Sequence, residues 1–569
     1  MAPTTESLAE PDKNIATSLE KDVDVEAGRS DSQSRARDTP ENDGTMRHVA
    51  TAQKPAKSAA EEDDEGKVYP PASSVMVVMD RTIIATAVPQ ITDAFHSIDD
   101  IGWYASAYMI TGCAFQLFFG KLYTFYSPKW VFLASVGLFE VGSLLCGVAP
   151  NSASFIVGRA IAGLGSAGIF SGSIVLTVHI IPLRRRPIYQ SFMGAVFLIS
   201  SVVGPVIGGA FTTHLTWRWC FYINLPVGGA TIFLLIFLLP ATDPNRTEDE
   251  IISRKLSVRQ KSVQLDPIGT LCFLPGIVCL LLALQWGGAT YSWSDGRIIA
   301  LLVLFGVLIL AFIAVQIWQQ ENATLPPRIL AYRSVTASTW FAFCISASLM
   351  TVVYFLPLWF QAIQGVDAVQ SGVRTLPVII ALVVSSIIAG GSVSAIGYYT
   401  PFLILCAVIM SVGAGLMTTF QVDTRQPIWI GYQVIFGFGI GLGQQQAGLA
   451  AQTVLPTKDV PIGVSFKFFG QQLGGAIFVS VAQSVLNQRL VAGLSALNIP
   501  NLDPSAIASL GATELRQRVP AELLDKVLIA YNHAIDGTFE VALILAALSL
   551  IGALLTEWKS VKGMDIKGA

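Results

Sequence analysis

Charged side chains are scarce in this chain: Asp, Glu, Lys and Arg make up 13% of the 569 residues, while hydrophobic residues make up 52%. Soluble domains carry about 25% charged residues, so the composition excludes an ordinary soluble protein and favours a polytopic membrane protein. The seven cysteines and five histidines lack metal-ligand spacing, and no Gly-x-x-x-x-Gly-Lys-Ser/Thr sequence occurs. We therefore expect no metal site, disulfide framework, P-loop or cofactor.

The first 69 residues differ in composition from the rest. They carry 16 acidic and 9 basic side chains, which leaves 23 acidic and 27 basic side chains in the other 500 residues. With few aromatic residues and no periodicity, this segment cannot bury enough apolar surface to offset its chain entropy. We predict that residues 1–69 form a disordered cytoplasmic tail. Because the tail lacks the features of a secretory signal peptide, we expect the first membrane span to direct insertion.

The remaining chain contains fourteen apolar segments that resemble membrane spans. A helix needs about 20 residues to cross a hydrocarbon core of about 30 Å, and most segments reach that length. They begin near Ser74, Trp103, Trp130, Phe155, Tyr189, Phe221, Pro267, Ile298, Val335, Gly372, Pro401, Ile428, Pro461 and Thr538.

The charges of the loops predict the orientation. With the N-terminus inside, the inner loops and C-terminal tail hold 16 Lys and Arg residues and the outer loops hold 8. Cytoplasmic loops carry the excess of basic residues in membrane proteins. We therefore expect both termini in the cytoplasm.

The first span is unusual in length and in charge. Only 14 apolar-run residues, 75–88, lie between "YPPASS" and Pro89, and the run includes Asp80 and Arg81. A helix of 14 residues covers about 21 Å, so the span is predicted to be short, through a loss of about a dozen apolar residues or through local thinning of the bilayer. An ionisable residue at membrane depth is a functional hypothesis by default. Neighbours in sequence point about 100° apart on a helix, so this pair is not a pre-formed ion pair.

Four segments in order carry a family resemblance. They read "MDRTIIATAVPQI", "WYASAYMITGCAFQLFFGKLYTFYSPKW", "IVGRAIAGLGSAG" and "SSVVGPVIGGAFTTHLTWRWCFYINLPVGG". Together they closely resemble the fourteen-span drug:proton antiporter branch of the major facilitator superfamily, especially fungal efflux pumps for drugs and secondary metabolites. The resemblance runs from about Met79 to Trp558.

The resemblance implies an all-α membrane fold of two six-helix halves with two inserted spans. The implied organisation is an N-terminal half over 70–240, a cytoplasmic loop over 241–266, an inserted helix pair over 267–318 and a C-terminal half over 335–558. Residues 486–537 are predicted to be a long extracellular loop, and 559–569 a cytoplasmic tail.

The resemblance also implies roles for two charged residues. Asp80 matches the carboxylate of the family's first-span motif, where it takes part in proton coupling or gating; the alternative is that it only orients the helix end. Arg159, in the fourth span, matches an arginine implicated in proton transfer; the alternative is a structural hydrogen-bonding role. A cation at this depth needs a carbonyl, a carboxylate or water, so Arg159 should face the bundle interior.

Two further motifs are implied by the same resemblance. Gly204, Pro205, Gly208 and Gly209 match the antiporter signature Gly-Pro-x-x-Gly-Gly, which marks export coupled to proton entry, although helix packing alone explains the glycines. Gly120, Leu122 and Lys129 keep the frame of a cytoplasmic loop signature. Thr124 and Ser127 replace its aspartate and second glycine, so this loop has either a gating role or only fixes topology by its positive charge.

Polar side chains also occur at membrane depth in the C-terminal half. Interhelical hydrogen bonding is their default role, and substrate contact is the alternative. The candidates are Gln444, Gln445, Gln446, Lys467, Gln471 and Gln472.

The predicted function is secondary active transport: proton-coupled efflux of an amphipathic small molecule across the plasma membrane by a monomer in the lipid bilayer. No clustered catalytic site is found, so we do not expect an enzyme or a nucleic-acid partner. Uptake of a nutrient or siderophore is the alternative within transport. A membrane sensor on the same fold is a third possibility, although the tail after Trp558 is short.

Overall fold

The computed structural model describes residues 72–97, 100–238, 264–288, 291–497 and 521–562. The predicted disordered tail lies outside this range, as do most of the predicted loop 241–266 and residues 563–569. In the described part, α-helices and short 3₁₀ turns are joined by loops, with two isolated β-bridges, Gly287 to Tyr291 and Tyr398 to Ser560.

Eight helices lie among the described residues up to Leu238. They are α1 (Ala72–Phe95), α2 (Ile101–Ala114), α3 (Gln116–Phe125), α4 (Pro128–Val148), α5 (Ser152–Ile180), α6 (Arg186–His214), α7 (Trp219–Tyr222) and α8 (Asn224–Leu238).

The described residues after this point form eleven more helices. They are α9 (Pro267–Trp286), α10 (Gly296–Gln319), α11 (Pro327–Ala331), α12 (Arg333–Ala362), α13 (Ala368–Arg374), α14 (Leu376–Ile396), α15 (Thr400–Met417), α16 (Gln426–Gly443), α17 (Gln446–Val454), α18 (Val460–Ala496) and α19 (Ala521–Leu555).

Each of the fourteen predicted span starts lies within a helix. Among the described residues, ten helical segments are both long enough and apolar enough to cross a bilayer. The helices at the first, second, fifth and twelfth predicted positions are outside that group. The second is divided at Phe115 into α2 and α3, so neither piece alone reaches the length of a span.

The first helix is longer than its apolar run. It has 24 residues, which corresponds to about 36 Å at 1.5 Å per residue. It continues through Pro89 and past Gln90, Thr92 and Asp93 to Phe95. The shortness predicted from the sequence therefore describes the apolar run and not the helix.

The predicted extracellular loop 486–537 is helical over much of its length. Helix α18 continues to Ala496 and α19 begins at Ala521. Leu486, Leu490 and Leu494 recur at a spacing of four residues and are buried in one cluster with Val527 and Leu528. Hydropathy alone missed this part because polar residues on the opposite faces lower its average, while the apolar stripe still drives helix packing.

Each set of helices packs around its own apolar core. Helices α1 to α8 bury two clusters, one around Phe132 and Phe139 and one around Phe155 and Phe221. Helices α12 to α19 bury a larger cluster that includes Trp359. Helix α9 packs against both α2 and α18, and α10 packs on α9.

The two sets of helices meet near one end of the bundle, where α3 leads into α4. We call this the Lys121 end. A β-carbon added at Gly120 would lie 2.6 Å from the Ser465 side chain in α18 and 3.2 Å from the Pro461 carbonyl. At the same end, a β-carbon at Gly390 in α14 would collide with Ser191 in α6. At these positions the two sets of helices are in direct contact, so the described residues leave no opening between them at the Lys121 end.

Candidate functional sites

The two charged residues singled out in the first and fourth spans form one ion pair. The Nη1 atom of Arg159 in α5 lies 2.6 Å from Oδ2 of Asp80 in α1. Both side chains are buried, with 1% and 0% of their surface exposed. Helix packing brings together two residues that are 79 positions apart in the chain.

Neutral groups complete the coordination of this pair. Asn224 at the start of α8 donates through Nδ2 to Asp80 Oδ1 at 3.1 Å, and Ser143 Oγ lies 3.2 Å from the same nitrogen. Arg159 Nε donates to the Tyr104 carbonyl at 3.0 Å, and its guanidinium lies 4.5 Å from the Tyr108 ring centre. We call these four groups and the ion pair the Asp80 cluster.

The two buried charges of this pair compensate each other. Removing one partner of a buried pair costs about 3–5 kcal/mol. Loss of either charge would therefore disfavour the packing of α1, α5 and α8 around the pair.

The glycine motif lies on the helix beside α1. Gly204 and Gly208 are buried, and α6 continues without interruption through Pro205 to His214. Gln90 of α1 donates to the Thr212 carbonyl of α6 at 2.7 Å. Gly209 differs from Gly208, because a β-carbon added there would meet no described atom within 4 Å.

The loop motif lies at the Lys121 end. Gly120 permits the close approach of α18 described above, and the neighbouring Lys121 donates to the Ala323 carbonyl. Lys129 is buried and donates through Nζ to the Ile236 carbonyl of α8 at 2.8 Å. Leu122 packs at the edge of the cluster around Phe132. The motif thus contacts helices of both halves of the protein.

An ion pair joins the segment that precedes α12 to the start of α18. Arg328 contacts Asp459 through Nη1 at 2.6 Å and through Nη2 at 2.9 Å, and its Nε contacts Glu321 at 2.8 Å. The hydrogen bonds to Asp459 raise the pKa of Arg328 above its ordinary value. The buried Asp266 accepts hydrogen bonds from Gln316 and Thr324. These contacts hold the connection between α10 and α12 in place.

A cavity of about 130 Å³ lies between the two sets of helices. Its walls come from α5, α6, α14 and α18 and from the junction of α16 and α17. Five of the six predicted substrate-contact residues line it: Gln444, Gln445, Lys467, Gln471 and Gln472. Gln446 is not part of the wall; it is buried, and its side-chain amide has no hydrogen-bond partner among the described residues.

Polar groups in and beside the cavity connect the two halves. Gln472 Nε2 donates to Gln116 at 3.2 Å, Gln116 Nε2 donates to Ser171 at 2.5 Å, and Ser171 lies 3.0 Å from the Ser465 hydroxyl. The chain of hydrogen bonds therefore crosses from α18 to α3 and α5, and returns to α18. A ligand that binds here would contact groups that belong to both halves.

Lys467 contributes its side-chain amine to the cavity. Its side chain is buried and donates to Gln471 Oε1 at 2.7 Å, and the ammonium lies 4.5 Å from the Phe468 ring centre. Two further lining groups, Gln190 Nε2 and Ser386 Oγ, are buried without a hydrogen-bond partner among the described residues. The cavity thus offers unsatisfied polar groups beside apolar surface.

Several residues around Asp80 were not singled out from the sequence. Tyr104, Ser143 and Asn224 carry no charge, and their role follows only from the packing that places them near the ion pair. Glu140 carried the same signal as Asp80, because it is the one acidic residue in the apolar run of α4. Applying the rule for intramembrane carboxylates to every span would have found it.

Comparison with known proteins identifies the family. The profile of the Major Facilitator Superfamily matches residues 72–479. The chain belongs to this superfamily. It is 52% identical over 490 residues to the rubrofusarin-specific efflux pump aurT of Gibberella zeae, and the aligned region covers 86% of this chain and 88% of that relative. It is 50% identical over 486 residues to the efflux pump aflT of Aspergillus parasiticus, covering 85% and 93% of the two chains.

A solved structure supports the superfamily fold. The structure of the proton:xylose symporter XylE matches with a TM-score of 0.53 at 14% identity, over 79% of this chain and 94% of that one. At this identity the likeness concerns the fold alone. This superfamily member is therefore an all-helical, multi-pass membrane transporter, as its sequence predicted.

Proposed function

We propose that this superfamily member is a proton-coupled antiporter that exports amphipathic small molecules, such as fungal secondary metabolites or toxins, across the plasma membrane. The observation that carries the proposal is the buried Asp80–Arg159 pair, which joins the first and fourth spans. The names of the relatives from Gibberella zeae and Aspergillus parasiticus, both efflux pumps, support export. We further propose that the protein works as a monomer with both termini in the cytoplasm.

The proposed mechanism is alternating access between two halves. With the predicted orientation, the Lys121 end faces the cytoplasm, so the described conformer is closed on that side. Protonation of Asp80 from outside neutralises the partner of Arg159 and shifts the balance between conformers. It can do so only by the difference in proton affinity between them.

The cavity between the two sets of helices is the proposed substrate site. Lys467, Gln444, Gln445, Gln471 and Gln472 provide donors and acceptors within a partly apolar wall. Polar groups that are buried without partners favour a ligand that satisfies them. A molecule with an apolar ring system and several oxygen acceptors fits this lining, since acceptors can take hydrogen bonds from the ammonium and the amides.

Export by yeast cells tests the proposal. Cells that express the protein are loaded with rubrofusarin, the cargo in the name of the Gibberella zeae relative, and the retained amount is measured with and without a protonophore. We expect low retention that rises when the protonophore is added. Equal retention in expressing and empty-vector cells for rubrofusarin and a panel of related aromatic metabolites would contradict export, and export indifferent to the protonophore would contradict coupling.

A matched pair of variants locates the coupling. Arg159→Ala is expected to reach the membrane in normal amounts and to lose protonophore-sensitive export, because it removes the buried partner of Asp80. Arg297→Ala removes an exposed arginine at the start of α10 and is expected to export normally. Normal export by Arg159→Ala would exclude the ion pair as the coupling site.

A further inference from the structure

A second acidic residue lies in the interior of the N-terminal half. Glu140 is in α4, 12 residues after the first residue, Pro128, which places it about 18 Å along the helix axis and near the middle of a hydrocarbon core of about 30 Å. Only 9% of its surface is exposed. Neither carboxylate oxygen has a hydrogen-bond partner among the described residues.

The neighbouring helix leaves room for this carboxyl group. A β-carbon added at Gly228 of α8 would overlap the Glu140 carboxylate and lie 2.9 Å from its Cγ. Gly228 thus forms a socket into which the acid points. Because no donor among the described side chains faces the carboxylate, the ionised form would be a buried charge without compensation, which is energetically unfavourable. The geometry therefore favours a protonated Glu140 in this conformer.

Glu140 is adjacent to the Asp80 cluster. Ser143, three residues after Glu140 in α4, contacts Asn224, and Asn224 is four residues before Gly228 in α8. Residues three and four apart share one helix face. The contacts of Ser143 with Asn224 and of Glu140 with Gly228 are therefore consecutive turns of one interface, and Glu140 lies on the side nearer the Lys121 end.

Most of the other titratable side chains that the structure describes on the packed helices are hydrogen-bonded to other partners. Helix α8 has none between Asn224 and Leu238. Arg159 of α5 is bound to Asp80 and to the Tyr104 carbonyl. In α4, Cys146 donates to the Phe155 carbonyl and Lys129 to the Ile236 carbonyl. In α3, Lys121 donates to the Ala323 carbonyl and Tyr123 to the Gly168 carbonyl. Helix α7 contains Tyr222, which donates to the Gly147 carbonyl, and Cys220.

We propose that Glu140 is a second proton-binding carboxyl of the N-terminal half, which takes up and releases a proton between Asp80 and the Lys121 end in each transport cycle. The inference rests on the proposed proton-coupled function. In uptake, the O–H bond of protonated Asp80 breaks, directly or through water, and an O–H bond forms on one Glu140 oxygen; Asp80 becomes ionised and Glu140 becomes neutral. Release breaks that bond, leaves the carboxylate ionised and passes the proton to water at the Lys121 end when that end opens.

Infrared spectroscopy of the purified protein tests the proton directly. A protonated buried carboxyl has a C=O stretch distinct from that of a carboxylate, and glutamate labelled with ¹³C in its side-chain carboxyl shifts the band if a glutamate carries it. We expect a glutamate band at neutral pH in wild type and in Glu540→Gln, and its loss in Glu140→Gln. Glu540 is a suitable control because it is half-exposed and paired with Arg489 in the other half. Absence of the glutamate band from wild type, or its survival in Glu140→Gln, would overturn the proposal.

Transport by the same proteins tests the consequence. In vesicles, rubrofusarin transport driven by a pH gradient should fall by at least about tenfold in Glu140→Gln, as expected for loss of a positioned proton carrier, while rubrofusarin exchange without a gradient persists. Glu140→Asp should restore part of the gradient-driven rate. Gradient-driven transport at the wild-type rate in Glu140→Gln would refute the inference. Failure of wild type to respond to the gradient would instead refute the proposed function, and if Glu140→Gln does not fold, the labelled wild-type band decides the matter.

Discussion

Replacing Asp80 with Asn removes the negative charge of the buried pair while keeping the size of the side chain. Arg159 would then retain the Tyr104 carbonyl and the Tyr108 ring as neighbours, neither of which carries a compensating charge. Removing one partner of a buried pair costs about 3–5 kcal/mol. We expect Asp80→Asn to lower the stability of the described conformer by an amount in this range.

The same energy predicts the effect on the conformational balance. If the pair forms only in the conformer closed at the Lys121 end, its loss shifts the balance by roughly 150- to 5,000-fold, since about 1.36 kcal/mol corresponds to a factor of ten. Hydrogen exchange measured by mass spectrometry on peptides around Gly120 and Ser465 reports this shift. Faster exchange at that end is the expected result.

A double-mutant cycle isolates the pair. Asp80→Asn, Arg159→Gln and the combined variant are compared with wild type by detergent-induced unfolding and by gradient-driven transport. Because the combined variant leaves no unpaired charge, we expect it to be more stable than either single variant. Single effects that add to within about 0.5 kcal/mol are the mark of independent sites, and that outcome would refute the reasoning.

Three further changes test other parts of the structure. At equal expression, Gly208→Leu should reduce transport more than Gly209→Leu. Gly208 is buried, where overpacking costs about 1–3 kcal/mol, whereas Gly209 faces open space. Equal losses of transport would show that the two positions are equivalent. Lys467→Gln should weaken rubrofusarin binding, measured by titration, by roughly 10- to 150-fold. This factor is equivalent to about 1.5–3 kcal/mol for a hydrogen bond to a charged group. An unchanged affinity would exclude contact between the ligand and the Lys467 side chain. Arg328→Ala should lower the unfolding temperature by at least about 2 °C, because Asp459 is only 4% exposed and a buried acceptor left without its partner costs about 1–3 kcal/mol. An unchanged thermal melt would show that the Asp459 contact contributes nothing to stability.

The sequence predicted where the helices lie better than how their side chains meet. Apolar runs locate helices because a bilayer requires them, and every predicted start falls in one. Asp80 and Arg159 were each marked by their charge in an apolar run, but their pairing depends on how α1 and α5 pack. The predicted loop 486–537 shows the limit of hydropathy: the structure has helix up to Ala496 and again from Ala521, because an average over all helix faces hides the apolar stripe of Leu486 and Leu490.

The cavity shows the same division. Polar side chains at membrane depth indicated Lys467 and the glutamines, and five of these six candidates line one cavity, from α18 and from the junction of α16 and α17. Gln446 differs because it begins α17 and points into the protein interior. The rotation of α17 relative to α16 determines which side chains at their junction face the cavity, and the sequence does not specify that rotation.

The most direct test of proton-coupled export uses purified protein in sealed vesicles with rubrofusarin and an imposed pH gradient. Antiport predicts that rubrofusarin accumulates on the acidic side while protons move the opposite way, that an ionophore collapses both movements, and that Asp80→Asn shows neither. Accumulation on the alkaline side, together with protons, would identify symport and contradict the proposed export. Rubrofusarin movement that ignores the gradient would contradict coupling through Asp80 and Arg159.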